Sequence, residues 1–318
     1  MCGFALLGRL AALALVLSAA ACGVGLAGPS PPEAAAVAPP AGVLRIGSVS
    51  ISPGREHDVV RPFGDYLAAR LAGVGIGSCR VVVVDSLHSM IGELDAGRVD
   101  LYLDSPFPVA FLVAHGADLT VLARRWKRGR DEYRSVVFAR DDSRVDTLED
   151  LRGKVVAFGI PFSTAGFLMP KAALAAAGLE LVPFQDPAAS VDPAKVGYVF
   201  SNDAENTVFW VLKGKAAAGA VNEDYYRALA GPRIDELKVL LRTPALPRNI
   251  VCARSSLDPR VKEAIVEVLL AMEGDAEGRA VMEAFENTLR FDLFPNGAEE
   301  ALNEVIGMLP YVEDDLGR

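Results

Sequence analysis

The sequence VVAFGIPFSTAG, residues 155–166, joins a short apolar run to a glycine-containing turn and then to a helix. Its four leading apolar residues have the length and character of a buried strand. The apolar residues after Gly166 continue at helical spacing to about residue 177. A buried strand that turns directly into a helix is typical of folds in which strands and helices alternate.

The turn carries two hydroxyl side chains, Ser163 and Thr164, at the start of the helix. The first N–H groups of a helix lack intrahelical acceptors, and the helix dipole makes this end attractive to an anion. The two hydroxyls add further hydrogen-bond donors. The alternative is that one of them only caps the helix, as most such residues do. The pattern leaves both interpretations open.

Strands and helices alternate on both sides of this turn. Toward the N-terminus, apolar runs predict strands at 43–49, 80–84, 99–103, 119–123 and 135–139, and helices at 59–71, 86–96 and 108–115. Toward the C-terminus they predict strands at 197–200, 217–221, 237–241 and 249–253, and helices at 205–213, 259–272, 276–287 and 297–308. This alternation predicts an α/β fold with parallel, two-faced sheets.

The order of these elements predicts two lobes between which the chain crosses twice. Lobe one is expected to comprise residues 43–138 and 246–318, and lobe two residues 139–245. Two crossings place a cleft between the lobes. Open α/β sheets bind ligands at the carboxyl ends of their strands, so residues directly after strands are the candidates for a binding site.

The N-terminus has the layout of an export signal. Residues 1–21 contain one charge, Arg9, then an apolar run and small residues before Cys22. The run is shorter than the roughly 20 residues that span a bilayer. The small residues resemble a bacterial lipoprotein signal, so we expect a lipidated Cys22, with plain cleavage into the periplasm as the alternative. Residues 22–42, rich in Ala, Pro and Gly, predict a flexible tether.

The charge balance limits the possible partners. A net charge of -9 argues against nucleic acid, which is bound by a basic surplus. A local basic cluster around Trp126 is interpreted as a solvated loop and not as an anion site; its members are Arg124, Arg125, Lys127, Arg128 and Arg130.

The sequence offers little support for metal, cofactor or enzyme chemistry. The three histidines and four cysteines show no metal-type spacing. Cys79 and Cys252 are as compatible with two buried thiols as with a disulfide. No paired carboxylates, serine-nucleophile elbow or phosphate-binding loop motif is visible, and Ser163 has no histidine nearby in sequence to activate it. We therefore expect a protein that is not an enzyme and uses no metal or cofactor.

Several segments together carry a family resemblance. They are YRSVV at 133–137, LEDLRGKVVAFG at 148–159, Pro161 with Ser163, Thr164 and Gly166, LKGK at 212–215 and AGAV at 218–221. These segments resemble the phosphate-, phosphite- and phosphonate-type substrate-binding proteins of ABC importers. The resemblance implies a two-lobed type II periplasmic binding fold, with a ligand cleft between the lobes, that closes on a solute and delivers it to a membrane permease.

The resemblance also implies site residues. The family's phosphate-cradling hydroxyl turn falls on Ser163 and Thr164, the strongest candidates for ligand contact. Its loop after a lobe-one strand falls near Asp104 and Ser105, where the alternative is a simple helix start. The remaining candidates lie at the first crossing strand and at the start of a lobe-one helix, with packing or capping as alternatives; they are Tyr133, Ser135 and Ser86.

The implied ligand is a small oxyanion such as phosphonate, phosphite or phosphate. The chain departs from the family pattern at Ile160, at Ala165, within Asp203-Ala204-Glu205 and at Asn222, which leaves another oxyanion or small polar solute open. We expect a periplasmic monomer whose partners are a small anionic solute and an ABC permease. The alternative function is a sensory binding protein that reports occupancy to a membrane kinase or receptor, and neighbouring permease or kinase genes would separate the two.

Overall fold

The computed structural model describes residues 42–188 and 190–316. The predicted signal, Cys22 and all but the last residue of the predicted tether lie outside these ranges. Within them, no helix combines the length and the apolar character that a membrane crossing needs.

The described residues form a mixed α/β structure. In chain order the strands are β1 Gly42–Val49, β2 Ile76–Val84, β3 Leu101–Asp104, β4 Leu119–Lys127, β5 Glu132–Tyr133, β6 Ser135–Arg140, β7 Val155–Phe158, β8 Leu181–Pro183, β9 Val196–Phe200, β10 Ala218–Asn222, β11 Leu237–Arg242, β12 Leu246–Pro247, β13 Ile250–Arg254 and β14 Thr288–Asp292. The helices are α1 Pro53–Arg70, α2 Leu87–Asp95, α3 Pro106–Ala114, α4 Met169–Ala176, α5 Ala204–Leu212, α6 Glu223–Ala230, α7 Pro259–Ala271, α8 Ala276–Ala284, α9 Glu299–Met308 and α10 Glu313–Leu316.

Lobe one is built on a six-stranded sheet with the order β14-β4-β13-β3-β1-β2. Strands β1, β2 and β3 are parallel, as predicted. The returning strand β13 enters between β3 and β4 and runs antiparallel to both. The sheet is therefore mixed and not wholly parallel, because the strand by which the chain returns to lobe one runs in the opposite direction to its neighbours.

Lobe two is built on a second six-stranded sheet with the order β11-β6-β10-β7-β9-β8. Strand β6 pairs antiparallel with β10 and β11 in this sheet. The prediction that lobe one extends to residue 138 is therefore wrong at this strand. Because β6 belongs to the sheet of lobe two, the first crossing precedes Ser135. Local periodicity does not reveal this, since the strands that pair with β6 lie more than 75 residues further along the chain.

The two crossings lie side by side. Strands β5 and β12 form a short antiparallel pair in which Tyr133 is opposite Leu246 and Glu132 opposite Pro247. The Arg248 N–H then donates a hydrogen bond of 2.6 Å to the Asp131 carbonyl. This paired ribbon joins the lobes at the base of the cleft between them.

The C-terminal segment contacts both lobes. Helix α9 packs on α3 of lobe one and buries Leu302 and Val305. Beyond it, Asp315 forms an ion pair with Lys171 and accepts a hydrogen bond from the Tyr198 hydroxyl, both in lobe two. Residues 246–318 were predicted to belong to lobe one alone, but Asp315, near the end of the described range, contacts lobe two.

Both described cysteines are buried free thiols, which answers the question that the sequence left open. Cys79 lies on β2 and Cys252 on β13. Burial raises the pKa of the Cys79 thiol to about 11 and that of Cys252 to about 12. Both thiols are consequently protonated at neutral pH and pack as small apolar side chains.

Candidate functional site

A cavity of about 350 Å³ lies between the lobes. Four strands end at its wall with Val49, Asp104, Gly159 and Asn222 at or just beyond their carboxyl ends. Its position follows from the topology, because parallel strands present their carboxyl ends at one edge of a sheet.

The structure brings five of the seven predicted ligand residues to this cavity. These are Ser163, Thr164, Ser105, Asp104 and Tyr133.

Ser135 and Ser86 do not line the cavity. The Ser135 hydroxyl is fully buried and donates to the Ala165 carbonyl at 2.7 Å, so it ties β6 to the neighbouring turn. The Ser86 hydroxyl accepts from the Ser89 N–H at 3.2 Å and caps α2. Both hydroxyls have structural partners, and the structure gives neither a place at the cavity.

Thr164 connects the two lobes across the cavity. Its side chain is buried, with the residue 1% exposed. The Thr164 Oγ1 accepts from the Phe107 N–H of α3 at 2.9 Å and donates to the Ser105 Oγ at 2.9 Å. The Tyr133 hydroxyl lies near the same two hydroxyls, and burial raises its pKa. Three hydroxyls from both lobes and the crossing strand therefore meet at one wall.

Ser163 caps the helical turn that begins at Thr164. Its Oγ accepts from the Gly166 N–H at 2.9 Å, so the capping alternative holds for this side chain. The turn, Thr164–Leu168, is π-helical and continues into α4. The amides of Thr164 and Ala165 have no intrahelical acceptor, as at any helix start, and both residues line the cavity. The turn still presents main-chain donors to an anion.

The basic cluster that the sequence assigned to a solvated loop lies mostly in β4. Arg124 and Arg125 are 8% and 2% exposed, so the solvated-loop interpretation is wrong for them. Side chains alternate along a strand, which places Arg125 and Lys127 toward the cavity. Arg124 instead pairs with Asp292 at 2.8 Å.

Glu286 forms ion pairs with both cavity-facing cations of β4. Its carboxylate lies 2.6 Å from the Lys127 Nζ and 3.2 Å from the Arg125 Nη2. Burial alone would raise the pKa of Glu286, but the charges of Lys127 and Arg125 lower it to about 2. Glu286 has a φ of 56°, an uncommon conformation for this residue type, which the ion pairs help to maintain.

Arg248 is the cavity cation that the sequence analysis missed. It is 7% exposed, and its guanidinium lies 4.5 Å from the centre of the Tyr133 ring. Its Nε has no hydrogen-bond partner within the described ranges. The position of Arg248 in the sequence could have indicated it as a candidate, because Arg248 directly follows the second crossing strand and Tyr133, which was predicted, ends the first.

Asn222 adds a second unpaired donor. Its Oδ1 accepts from the Asp224 N–H at 2.7 Å and caps α6, whereas its buried Nδ2 has no partner among the described residues. Both Asn222 and Arg248 line the same cavity.

Asp104 is a carboxylate in the cavity wall. Its Oδ1 accepts from the Ser105 N–H at 2.6 Å, and its Oδ2 accepts from the Tyr102 hydroxyl at 2.9 Å. Burial raises the pKa of Asp104 to about 6, although these hydrogen bonds oppose the change. A second acidic side chain, Glu56, accepts from the Ser48 hydroxyl at 2.7 Å.

This donor set suits the binding of an oxyanion. In the described part of the chain, no group of three or more His, Cys, Asp and Glu side chains is arranged to hold a metal ion. The cavity has hydroxyl, amide and guanidinium donors on several sides. Such groups hold oxyanions through directed hydrogen bonds.

Comparison with known proteins gives the family. A sequence model described as "ABC transporter, phosphonate, periplasmic substrate-binding protein" matches residues 49–294. The phosphate-import protein PhnD of Mycolicibacterium smegmatis is 28% identical over 174 residues, which cover 52% of this chain and 53% of PhnD. The chain thus matches this curated relative over about half of its length.

Solved structures share the fold. XAC2383 from Xanthomonas citri, bound to chloride ion, has a TM-score of 0.80 at 24% identity and covers 86% of this chain and 99% of its own. PhnD1 from Prochlorococcus marinus, in complex with methylphosphonate, has a TM-score of 0.63 at 18% identity and covers 85% and 99%. These similarities confirm the predicted two-lobed type II periplasmic binding fold.

The family consists of transport binding proteins and not of enzymes, in agreement with the expectation from the sequence. Because the family match extends over most of the chain, the protein belongs to the periplasmic substrate-binding proteins of phosphonate ABC transporters.

Proposed function

We propose that this protein binds a small oxyanion of the phosphate, phosphite or phosphonate type in the interlobe cavity and delivers it to an ABC permease. The observation that carries the proposal is that two buried donors on residues of one cavity, Asn222 Nδ2 and Arg248 Nε, have no hydrogen-bond partner among the described residues. Buried polar atoms are nearly always hydrogen-bonded. A ligand with several acceptor oxygens would satisfy both atoms.

The neighbouring groups support the same ligand chemistry. The amides of Thr164 and Ala165 begin a helix at the cavity, and the hydroxyls of Ser105 and Tyr133 are near Thr164. Lys127 and Arg125 both pair with Glu286, whereas Arg248 forms no ion pair with a described residue, so Arg248 is the cation that we assign to the ligand. The names of two relatives, a phosphate importer and a methylphosphonate complex, agree with this class of ligand.

Hydrogen bonds between the two lobes beside the cavity would help to enclose the ligand. The Thr164 hydroxyl of lobe two bonds to the Phe107 amide and the Ser105 hydroxyl of lobe one. A ligand held at these residues would contact both lobes and favour the closed arrangement. We propose that the permease recognises the surface that the two lobes form when they are closed on the ligand.

Calorimetric titration with phosphate, phosphite and methylphosphonate tests the proposal. We expect at least one of them to bind, and Arg248→Gln to weaken that binding about 10- to 100-fold, because hydrogen bonds to a charged group contribute about 1.5–3 kcal/mol. The matched control is Arg254→Gln, since Arg254 lies at the other end of β13 and pairs with Asp100 at 2.9 Å. Absence of binding, or equal affinity in Arg248→Gln, would contradict the proposal.

We further propose that Cys22 is lipidated and that residues 23–41 tether the binding domain beside its permease. The support is the sequence of residues 1–22. Tethering would raise the local concentration of the domain at the membrane. We expect Cys22→Ser to move the exported protein from the membrane fraction to the soluble periplasmic fraction, and an unchanged distribution would refute the anchor.

A further inference from the structure

Asp104 stands in the wall of the proposed oxyanion site, where a carboxylate opposes the binding of a fully ionised anion. It lines the cavity, and its Oδ1 also accepts a 3.1 Å hydrogen bond from the Ser105 hydroxyl. Ser105 in turn accepts from Thr164, one of the residues assigned to the ligand. Among the residues that the structure describes, no Lys or Arg forms an ion pair with Asp104, unlike Glu286.

Asp104 retains capacity to accept one more hydrogen bond. An ionised carboxylate has about four lone-pair positions, two on each oxygen. Two donors, the Ser105 N–H and hydroxyl, occupy Oδ1, and one donor, the Tyr102 hydroxyl, occupies Oδ2. The remaining position on Oδ2 is suited to a donor, and an oxyanion supplies a donor only if it carries a proton.

We propose that the cavity selects oxyanions that carry a proton, with the ligand O–H donating to Asp104 Oδ2 while Arg248 neutralises the ligand charge. This inference rests on the proposed function and refines it. Phosphate, phosphite and alkylphosphonates exist partly as protonated anions near neutral pH. Sulfate and alkylsulfonates have similar shapes but no proton at that pH, so the Asp104 carboxylate would repel them.

The surroundings of Asp104 set the pH range over which this selection operates. The ionisable groups that interact with it are Glu56 from α1, Tyr102 on its own strand, Arg125 and Lys127 from β4, and Tyr133 from β5. With its pKa at about 6, Asp104 is mostly ionised above that pH and needs the ligand proton. Above the second pKa of the ligand, the protonated fraction falls tenfold per pH unit, and affinity falls with it.

The inference is tested by comparing the affinities for a phosphorus anion and for the sulfur anion of similar shape, in wild-type protein and in one isosteric variant. At pH 7, wild-type protein should bind methylphosphonate at least tenfold more tightly than methanesulfonate, and phosphate more tightly than sulfate. In Asp104→Asn, the amide oxygen still accepts from the Ser105 N–H, but the carboxylate charge is gone. We expect this variant to bind methanesulfonate more tightly than wild type does and to lose most of the discrimination.

A second measurement needs no variant. Calorimetry of wild-type protein with methylphosphonate, in two buffers of different ionisation enthalpy above the second pKa of the ligand, should show uptake of about one proton per bound ligand. Equal affinity for the sulfur and phosphorus anions, no proton uptake, or unchanged discrimination in Asp104→Asn would overturn the inference while leaving the proposed function intact. Failure of phosphate, phosphite and methylphosphonate alike to bind would refute the proposed function itself.

Discussion

At the scale of single residues, the cations that line the cavity differ in whether they form an ion pair. Arg125 and Lys127 share Glu286, and this pairing holds the pKa of Glu286 at about 2 despite its burial. Arg248 comes from the second crossing and has a free Nε at the cavity, with no hydrogen-bond partner in the described ranges.

Glu286→Gln tests the compensating role. Because the Glu286 side chain is 39% exposed, the free energy of unfolding at pH 7 should fall by about 1–2 kcal/mol, less than for a fully buried pair. The folded-state pKa lies below the unfolded value of about 4.3, so this stabilisation exists above pH 4.3 and is lost as the pH falls toward 2. Urea denaturation of wild type and variant at pH 7 and pH 3 measures the difference.

The control for that experiment is Glu283→Gln, an exposed carboxylate on the preceding helix. It should change the free energy of unfolding by less than about 0.5 kcal/mol. A Glu286→Gln deficit that stays constant from pH 7 to pH 3 would contradict the assigned ion pairs.

The sequence predicted which residues line the cavity where their position depends on local sequence. Ser163 and Thr164 follow a strand and begin a helix, so their position at the cavity could be inferred from order alone. Ser135 points away from the cavity, because its hydroxyl binds the Ala165 carbonyl, a contact that the sequence does not show. Arg248 was missed because its burial depends on packing against Tyr133.

At the scale of elements, the turn between β7 and α4 requires a small residue. Gly159 and Gly166 are joined by a 3.0 Å main-chain hydrogen bond. A Cβ on Gly166 would lie 2.8 Å from the Ser163 Oγ, whereas a Cβ on Gly159 would meet its nearest neighbour at an ordinary 3.8 Å. A Cβ at Gly166, but not one at Gly159, therefore requires the Ser163 hydroxyl to move.

We expect Gly166→Ala to displace the Ser163 cap, lower the free energy of unfolding by about 1 kcal/mol and weaken ligand binding, because the cap orients the amides at the cavity. Gly159→Ala is the matched control and should retain most of both properties. Thermal denaturation and calorimetric titration of the two variants measure the effects. Equal behaviour of both variants would show that the cap does not position the site.

Hydrophobic periodicity predicted where strands lie but not which sheet each strand joins. Apolar runs located the main strands, including β1, β7 and β10, because burial on both faces leaves a local signal. The sheet to which β6 belongs depends on pairing with β10 and β11, at least 75 residues distant. Local sequence contains no record of that pairing, so the lobe boundary was misplaced.

At the scale of the whole molecule, the C-terminal segment contacts both lobes. Helix α9 packs on α3 of lobe one, while the carboxylate of Asp315 is 8% exposed and pairs with Lys171 of lobe two, itself 10% exposed. The sequence left the role of these last helices open. Their packing suggests that they restrain the relative movement of the lobes.

Asp315→Ala should lower the free energy of unfolding by about 3–5 kcal/mol, because it leaves the buried Lys171 ammonium without its carboxylate. The adjacent Asp314→Ala removes an exposed carboxylate and should change it by less than about 0.5 kcal/mol. Urea denaturation of both variants decides the point, and similar values for the two would refute the assigned ion pair.

A crystal structure of the protein with methylphosphonate tests most directly whether the interlobe cavity is the oxyanion site. We expect ligand density in this cavity, with the ligand oxygens within hydrogen-bond distance of Arg248 Nε, Asn222 Nδ2 and the amides that follow Ser163. Ligand bound elsewhere, or an oxyanion in the cavity that leaves Arg248 Nε and Asn222 Nδ2 unpaired, would contradict it.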